Sequence, residues 1–371
     1  MRRISSAAVF AIISAFALEA CTPAEEKAAA PPATAAQVTA DSVTPSWAFS
    51  AEQIFPADRS LMRPEDGVVL ADGRIIVADQ AHGLRAMSAD GSSIPFGNFA
   101  SAGYRHEPPA YSAGPNGVSF EPDRQHILVA DIYTGAIWRT SVAEETTTLM
   151  YQHEFGANSA ERDSTGALWF TQSTINRAGP DSEAGMFAAI DKPAPDGALY
   201  RIAAPGADGP EGEPRLMADS LHFANGLAID ERRGALYLAE TMRNRVVAYP
   251  LDLAAGALGE RRDFAQILTP DNLKLDEDGN LWVASPIRNE ILVIDPDTDE
   301  ARSVFRAATP DNDRIAAEWR RRGDAGEPML SVMTPELWLP MPGLATSVIL
   351  TPGRGPVYIG TLGDALVKLD R

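Results

Sequence analysis

The stretch TPDNLKLDEDGNLWVASP, Thr269 to Pro286, decides the fold. Its second half reads as a hairpin, because DEDGN (Asp276 to Asn280) is a Gly-containing turn between the strand-like runs LKLD and LWVAS. The pair Asp271-Asn272 therefore stands at the start of a strand. The same strand–turn–strand grammar recurs in PEDGVVLADGRIIVADQ from Pro64, GPNGVSFEPDRQHILVADI from Gly114, GANSAERDSTGALWFTQS from Gly156, FANGLAIDERRGALYLAET from Phe223 and LATSVILTPGRGPVYIGT from Leu344. Most copies run on into a further strand, such as GAIWRTSV (Gly135 to Val142), NRVVAYPLD (Asn244 to Asp252) and NEILVIDPD (Asn289 to Asp297). Several short strands repeated at a spacing of roughly 40 to 50 residues are the mark of propeller blades. The chain is therefore read as all-β, a six-bladed β-propeller. A single β-sandwich with look-alike turns is the alternative, since Gly, Asp and Asn populate tight turns for backbone reasons alone. Repetition of the whole unit argues against it.

The repeats leave only the N-terminal segment outside. Arg2 and Arg3 precede a short apolar core, SSAAVFAIISAFAL, and LEAC ends at Cys21, the only cysteine. This pattern predicts an export signal over residues 1–20, too short for a spanning helix. LEAC resembles a bacterial lipobox, which predicts a lipidated Cys21, membrane attachment through it and a periplasmic location. An ordinary signal peptide cut nearby, leaving a free thiol, is the alternative. Residues 21–46 are rich in Ala, Pro and Thr and nearly free of large apolar side chains, so they read as a tether that buries no core. The propeller is assigned to residues 47–371, and WAFSAEQIFPA (Trp47 to Ala57) is expected to lend a strand to the last blade.

The formal charge is −19. A surface this acidic repels phosphate backbones, and no basic stretch interleaved with aromatics reverses that locally, so nucleic acid is not an expected partner.

Aligned at the first residues of each inner strand, the repeats present Glu65-Asp66, Asn116-Gly117, Asn158-Ser159, Asn225-Gly226, Asp271-Asn272 and Thr346-Ser347. Every pair bears oxygen. In a propeller all inner strands begin on one face, so these residues converge near the axis. A ring of carboxylate and amide oxygens without His or Cys is hard-cation chemistry, and Ca²⁺ takes six to eight oxygens at roughly 2.3–2.6 Å with irregular geometry. Glu65 and Asp271 would balance its charge. Taken singly, Asn116-Gly117 and Asn225-Gly226 read as turn formers; Glu65, a poor turn residue, does not.

FANGLAIDERRGALYLAETMRNRVVAYPLD (from Phe223), the opening stretch and the Glu-Asp of PEDGVVLADG together resemble a known superfamily. It comprises calcium-dependent six-bladed propellers, including gluconolactonase/regucalcin, paraoxonase, diisopropylfluorophosphatase and the strictosidine-synthase-like proteins. The resemblance runs from Pro64 to the C-terminus. It implies a catalytic calcium held by Glu65, Asn158, Asn225 and Asp271, with Asn272 as an added ligand in the paraoxonase manner. The paraoxonase histidine pair has no counterpart: Asn116 and Asp131 stand in the matching stretches, GPNGVSF and LVADIYTG. Of the five histidines, His82 and His222 fall near predicted mouth loops, while His106, His126 and His153 read as structural or exposed.

These readings predict a Ca²⁺-dependent hydrolase acting on a small lactone or aryl ester. Calcium would polarise the carbonyl, Asp271 would act as base or nucleophile, and Asn116, Asp131 and His222 would contact substrate. Two rivals stand beside it: a non-enzymatic, calcium-stabilised propeller that binds a ligand or protein, and a phosphotriester hydrolase. Specificity is expected from two long mouth segments, residues 173–198 and 308–343. Within the second, Asp313 to Arg322 reads as helical, and ELWLPM as either a lid or a buried edge.

Overall fold

A computed structural model describes residues 38–39, 46–205 and 212–371. The export segment, Cys21 and most of the tether lie outside the described residues. The architecture is the six-bladed β-propeller expected. Blade 1 runs Gly67–Val69, Ile75–Asp79, Gly83–Met87, Ser93–Phe96. Blade 2 runs Pro115–Phe120, His126–Asp131, Ala136–Ser141, Thr147–Gln152. Blade 3 runs Ala160–Arg162, Leu168–Gln172, Gly197–Ile202, Pro214–Leu221. Blade 4 runs Ala224–Asp230, Ala235–Glu240, Arg245–Asp252, Arg262–Gln266, with Ala257–Leu258 paired to its third strand. Blade 5 runs Leu273–Leu275, Leu281–Ser285, Glu290–Asp295, Glu300–Arg306. Blade 6 runs Ala345–Leu350, Val357–Thr361, Leu366–Leu369.

The fourth strand of blade 6 comes from the other end of the chain: Ile54–Phe55 pairs antiparallel with Leu366–Val367, which meets the expectation for that segment. Trp47–Ala48 instead runs parallel to the outer strand of blade 5. Val38–Thr39, inside the stretch read as a tether, pairs beside it with Ala301–Arg302.

The core is divided into wedges. Each of the six junctions between neighbouring blades has its own buried apolar cluster, such as Phe264 of blade 4 against Leu281 and Val283 of blade 5, or Val77 of blade 1 against Ile349 of blade 6. Second strands such as Leu281–Ser285 are buried along their whole length because a blade covers each face. That is why LWVAS runs apolar instead of alternating.

The turns repeat one local device. Asp276 accepts from Asn280 N at 2.8 Å and from Trp282 Nε1 at 2.9 Å across a turn whose Gly279 has φ +86°. Asp163, Gly166 and Trp169 do the same in blade 3, with an indole bond of 2.8 Å. Each charged-acceptor bond contributes about 1.5–3 kcal/mol.

Two α-helices occur among the described residues, one in each long mouth segment. Helix α1, Ser182–Asp191, has no amphipathic stripe and was not expected from sequence. Helix α2, Pro310–Ala325, extends the expected helix at both ends. Thr309 caps it in a reciprocal box with Asn312, Pro310 fits its first turn, and Gly326 ends it in the left-handed region. Asn312, Ile315, Ala316 and Trp319 form its buried stripe. ELWLPM divides between the two readings, with Leu337 buried against α2 and Leu339 exposed. The two segments meet: Asp191 at the end of α1 accepts from Met329 N through its carbonyl at 3.1 Å and from Leu330 N through its carboxylate at 2.9 Å.

Candidate metal and active site

The six strand entrances converge as the alignment predicted, and local backbone irregularity aims them. Register breaks interrupt the inner strands between Pro115 and Val118, between Ala224 and Leu227, and between Ala345 and Ser347. Those bulges contain Asn116, Asn225 and Thr346. A bulge re-aims a side chain that regular pleating would send into a blade interface.

The Gly that follows each Asn serves close approach, not a left-handed turn. A Cβ on Gly226 would lie 2.6 Å from Asn272 Cα and 2.7 Å from Asp271 O. One on Gly117 would lie 2.9 Å from Ser159 Cα. Both obstacles are backbone, so Gly226→Ala forces neighbouring entrances apart. The expected cost is about 1–3 kcal/mol, read as a fall in melting temperature.

Hydrogen bonds tie the ring residues to one another. Asn272 Nδ2 donates to Glu65 Oε1 and to Thr346 O, both at 3.1 Å. Asn116 Nδ2 donates to Asn158 Oδ1 at 3.0 Å, and Asn158 Nδ2 donates to Ser173 Oγ at 3.0 Å. Asn225 Nδ2 donates to Thr241 Oγ1 at 3.1 Å, and Thr241 Oγ1 donates to Pro270 O at 2.7 Å. Asn272 thus presents its amide nitrogen to Glu65, and as a metal ligand it would have to turn its oxygen there.

After these bonds are made, Glu65 Oε2, Asn225 Oδ1 and Asp271 Oδ1 remain buried with no hydrogen-bond donor. Three orphaned oxygens in one ring, two of them carboxylate, cost a good deal of desolvation unless a cation meets them. The donor set is all oxygen and fits a hard divalent ion. The proton affinities agree. Burial, then the charge of Asp271, pushes Glu65 well above the usual carboxylate range. Burial lifts Asp271 to about 7 against the pull of the Asn225 amide and Arg63.

Arg63 escaped sequence reasoning. Its backbone is left-handed, φ +54°, and its guanidinium reaches across to blade 2, donating to Asn116 Oδ1 at 2.9 Å and to Pro115 O at 3.3 Å. It lies over the Tyr133 ring, 5.7 Å from the centroid. Its one sequence signal was its place in RPED, two residues before Glu65.

Asp131 and His222 differ in their surroundings. Asp131 is fully buried; its Oδ1 accepts from Gly114 N, Tyr133 N and Thr134 N at 2.9–3.0 Å and holds a turn, while its Oδ2 is buried with no donor, as the ring oxygens are, and its charge acts on Arg63 together with those of Glu65 and Asp271. His222 Nδ1 lies 3.3 Å from Glu240 Oε1, in a separate pocket beside blade 4. A further group close enough to share one ion is Glu121, Asp123 and His126, whose ligand atoms lie within 4.8 Å of one another. Glu121 already receives Arg139 Nη2 at 2.6 Å and Arg162 Nε at 2.8 Å, and a cation there would have to displace them.

Residues of α1 pack with Ile132, Tyr133 and Phe223, bringing apolar side chains to the edge of the ring.

Residues 151–312 match the family model described as SMP-30/Gluconolactonase/LRE-like region, which bears out the resemblance read from sequence. Regucalcin of Danio rerio is 30% identical over 109 residues, 28% of this chain and 34% of that protein. The adipocyte plasma membrane-associated protein Hemomucin of Drosophila melanogaster is 27% identical over 183 residues, 46% of this chain and 29% of that protein. The chain thus spans about a third of the length of the curated relatives it matches. Among solved structures, a gluconolactonase of Xanthomonas campestris superposes with a TM-score of 0.56 at 20% identity, covering 92% of this chain and 98% of that one. That likeness is one of fold.

Proposed function

We propose, from the match to the SMP-30/gluconolactonase model and from the ring itself, that this chain is a calcium-dependent hydrolase of lactones or related esters. The observation that carries the reading is that Glu65 Oε2, Asn225 Oδ1 and Asp271 Oδ1, on residues that act electrostatically on one another, are each buried and without donors. Glu65, Asn158, Asn225 and Asp271 would hold the ion, joined by Asn272 with its amide turned. Calcium, when bound, supplies Lewis-acid polarisation of an ester carbonyl.

The chain's own residues supply the rest. Asp271 is the reacting carboxylate: it takes the proton of the attacking water, or attacks the carbonyl carbon itself, expelling the ester oxygen as the alcohol and leaving a mixed anhydride that water then hydrolyses. Heavy oxygen found in Asp271 after a single turnover in labelled water identifies the nucleophile, because water then attacks the Asp271 carbon of the anhydride and a general base takes up none. Asn116 and Asn158 have their amides fixed by a chain that begins at Arg63, which only donates, and ends at Ala224 O, which only accepts from Ser173 Oγ. Each amide then has one permitted orientation toward substrate.

The test is a hydrolysis screen of sugar lactones, aryl esters and phosphotriesters with the purified propeller, with and without chelator. Lactone or ester turnover that chelation removes is expected. Calcium binding without turnover on any class would leave a calcium-stabilised binding propeller in its place.

The chain is also proposed to be exported and anchored through a lipid on Cys21, on the ground of LEAC. Cys21→Ser should move the protein from the membrane fraction to the soluble one. Unchanged membrane retention would shift the anchor to the apolar segment before it.

A further inference from the structure

Beside blade 4, apart from the ring, lies a pocket with a cavity volume of about 420 Å³. His222, Arg243, Arg245, Arg261, Glu240 and Asp263 line it. Arg245 takes up both acids: its Nε donates to Glu240 Oε2 at 2.8 Å and its Nη1 to Asp263 Oδ1 at 2.7 Å. The other oxygen of Glu240 accepts from His222 N at 3.0 Å. Glu240 is itself 1% exposed, so Arg245 is locked in place by a buried carboxylate. Arg243 and Arg261 are exposed and form no ion pair among the described residues. Two guanidiniums without counter-charge therefore face one cavity in a chain whose net charge is −19. Burial first, and then the nearby Arg243, holds the His222 imidazole below its ordinary range against the pull of Glu240.

We propose that this pocket binds a small phosphate-type dianion, gripped by Arg243 and Arg261 over the fixed Arg245. Guanidinium forks match phosphate oxygens in pairs and are weakly hydrated, so clustering them is stabilised when such an anion bridges them. Carboxylate offers fewer oxygens and half the charge. The cavity exceeds inorganic phosphate in size and leaves room for an organic group beside Ser220 and Gln266. The site is independent of the ring chemistry, although the segment Thr241 to Arg245 that lends it Arg243 and Arg245 also carries Thr241, which accepts from Asn225, and Asn244, whose Oδ1 accepts from Thr269 N at 3.0 Å.

The test titrates the full chain calorimetrically with inorganic phosphate, glycerol phosphate and acetate, in excess EGTA so that no ion at the mouth recruits anions, at constant ionic strength. Saturable binding of both phosphates, tighter than acetate, is expected. Arg243→Gln with Arg261→Gln should weaken phosphate binding at least tenfold. Arg314→Gln with Arg354→Gln, which removes the same charge from exposed positions elsewhere, should change it less than twofold. If the first pair fails to fold, Arg243→Lys with Arg261→Lys keeps the charge, loses the forks and should still weaken binding severalfold. Absence of saturable phosphate binding, acetate bound as tightly as phosphate, or equal weakening by the two Gln pairs would overturn the proposal.

Discussion

Asp271→Asn should lower turnover by about 10² or more even at saturating calcium, since proton transfer by a positioned group typically contributes 10²–10⁴-fold. The substitution keeps size and one carbonyl oxygen. The backbone around it is held independently, with Asp271 N donating to Ala284 O at 2.9 Å and Thr241 Oγ1 donating to Pro270 O at 2.7 Å, so the ring should persist. Basicity is what disappears. Asn272→Ala makes the contrast: it should act on metal affinity, and added calcium should restore most of its activity. Near-parental turnover of Asp271→Asn with calcium saturating would leave Asp271 a ligand without a chemical role.

Chelation should abolish hydrolysis and lower the melting temperature together, because an ion bound only by the closed ring stabilises it by mass action, about 2.7 kcal/mol at a hundredfold excess over Kd. The ring carboxylates add a pH signature. Their native proton affinities are raised, so the metal-free fold binds more protons than the unfolded chain between the ordinary carboxylate range, near 4, and about 7 for Asp271. Metal-free stability contributed by these groups therefore falls as pH rises through that window. Calcium competes with those protons. Its stabilising effect, measured as the rise in melting temperature over the chelated protein, should be larger at about pH 8 than at about pH 5.5. Equal melting with and without chelator at both pH values would remove the metal from the ring.

The fold was legible because each blade writes its own turn in short-range code: Asp163, Gly166 and Trp169 repeat as Asp276, Gly279 and Trp282 at the same spacing. Helix α2 was legible for the same reason, its cap and buried stripe both lying within a few residues. The ring residues were legible by alignment, since every inner strand begins on one face. What escaped depends on contacts remote in sequence. Arg63 matters because a left-handed backbone carries its guanidinium to a blade starting some fifty residues later. The Asn-Gly pairs, read singly as turns, are bulges packed against the next entrance, and only a neighbouring blade reveals that. Asp131 and His222 were read from position alone, and their environments are set by Gly114 N and by Glu240. Helix α1 lacks the periodicity that would have announced it.

Ring closure also sets a schedule for the chain's birth. Ile54–Phe55 is made some three hundred residues before its partners, Leu366 and Val367. Five blades can assemble while Ile54–Phe55, the outer strand of the sixth, still waits for the three strands it belongs with, leaving an open strand edge and two uncovered wedge faces until residues 345–369 arrive. Long-range pairing of this kind is slow to form. A chain still on the ribosome is therefore an unclosed ring, and with the candidate ligand oxygens spread over blades that meet only at closure, an ion held by them would be captured at full strength only once the sixth blade is complete.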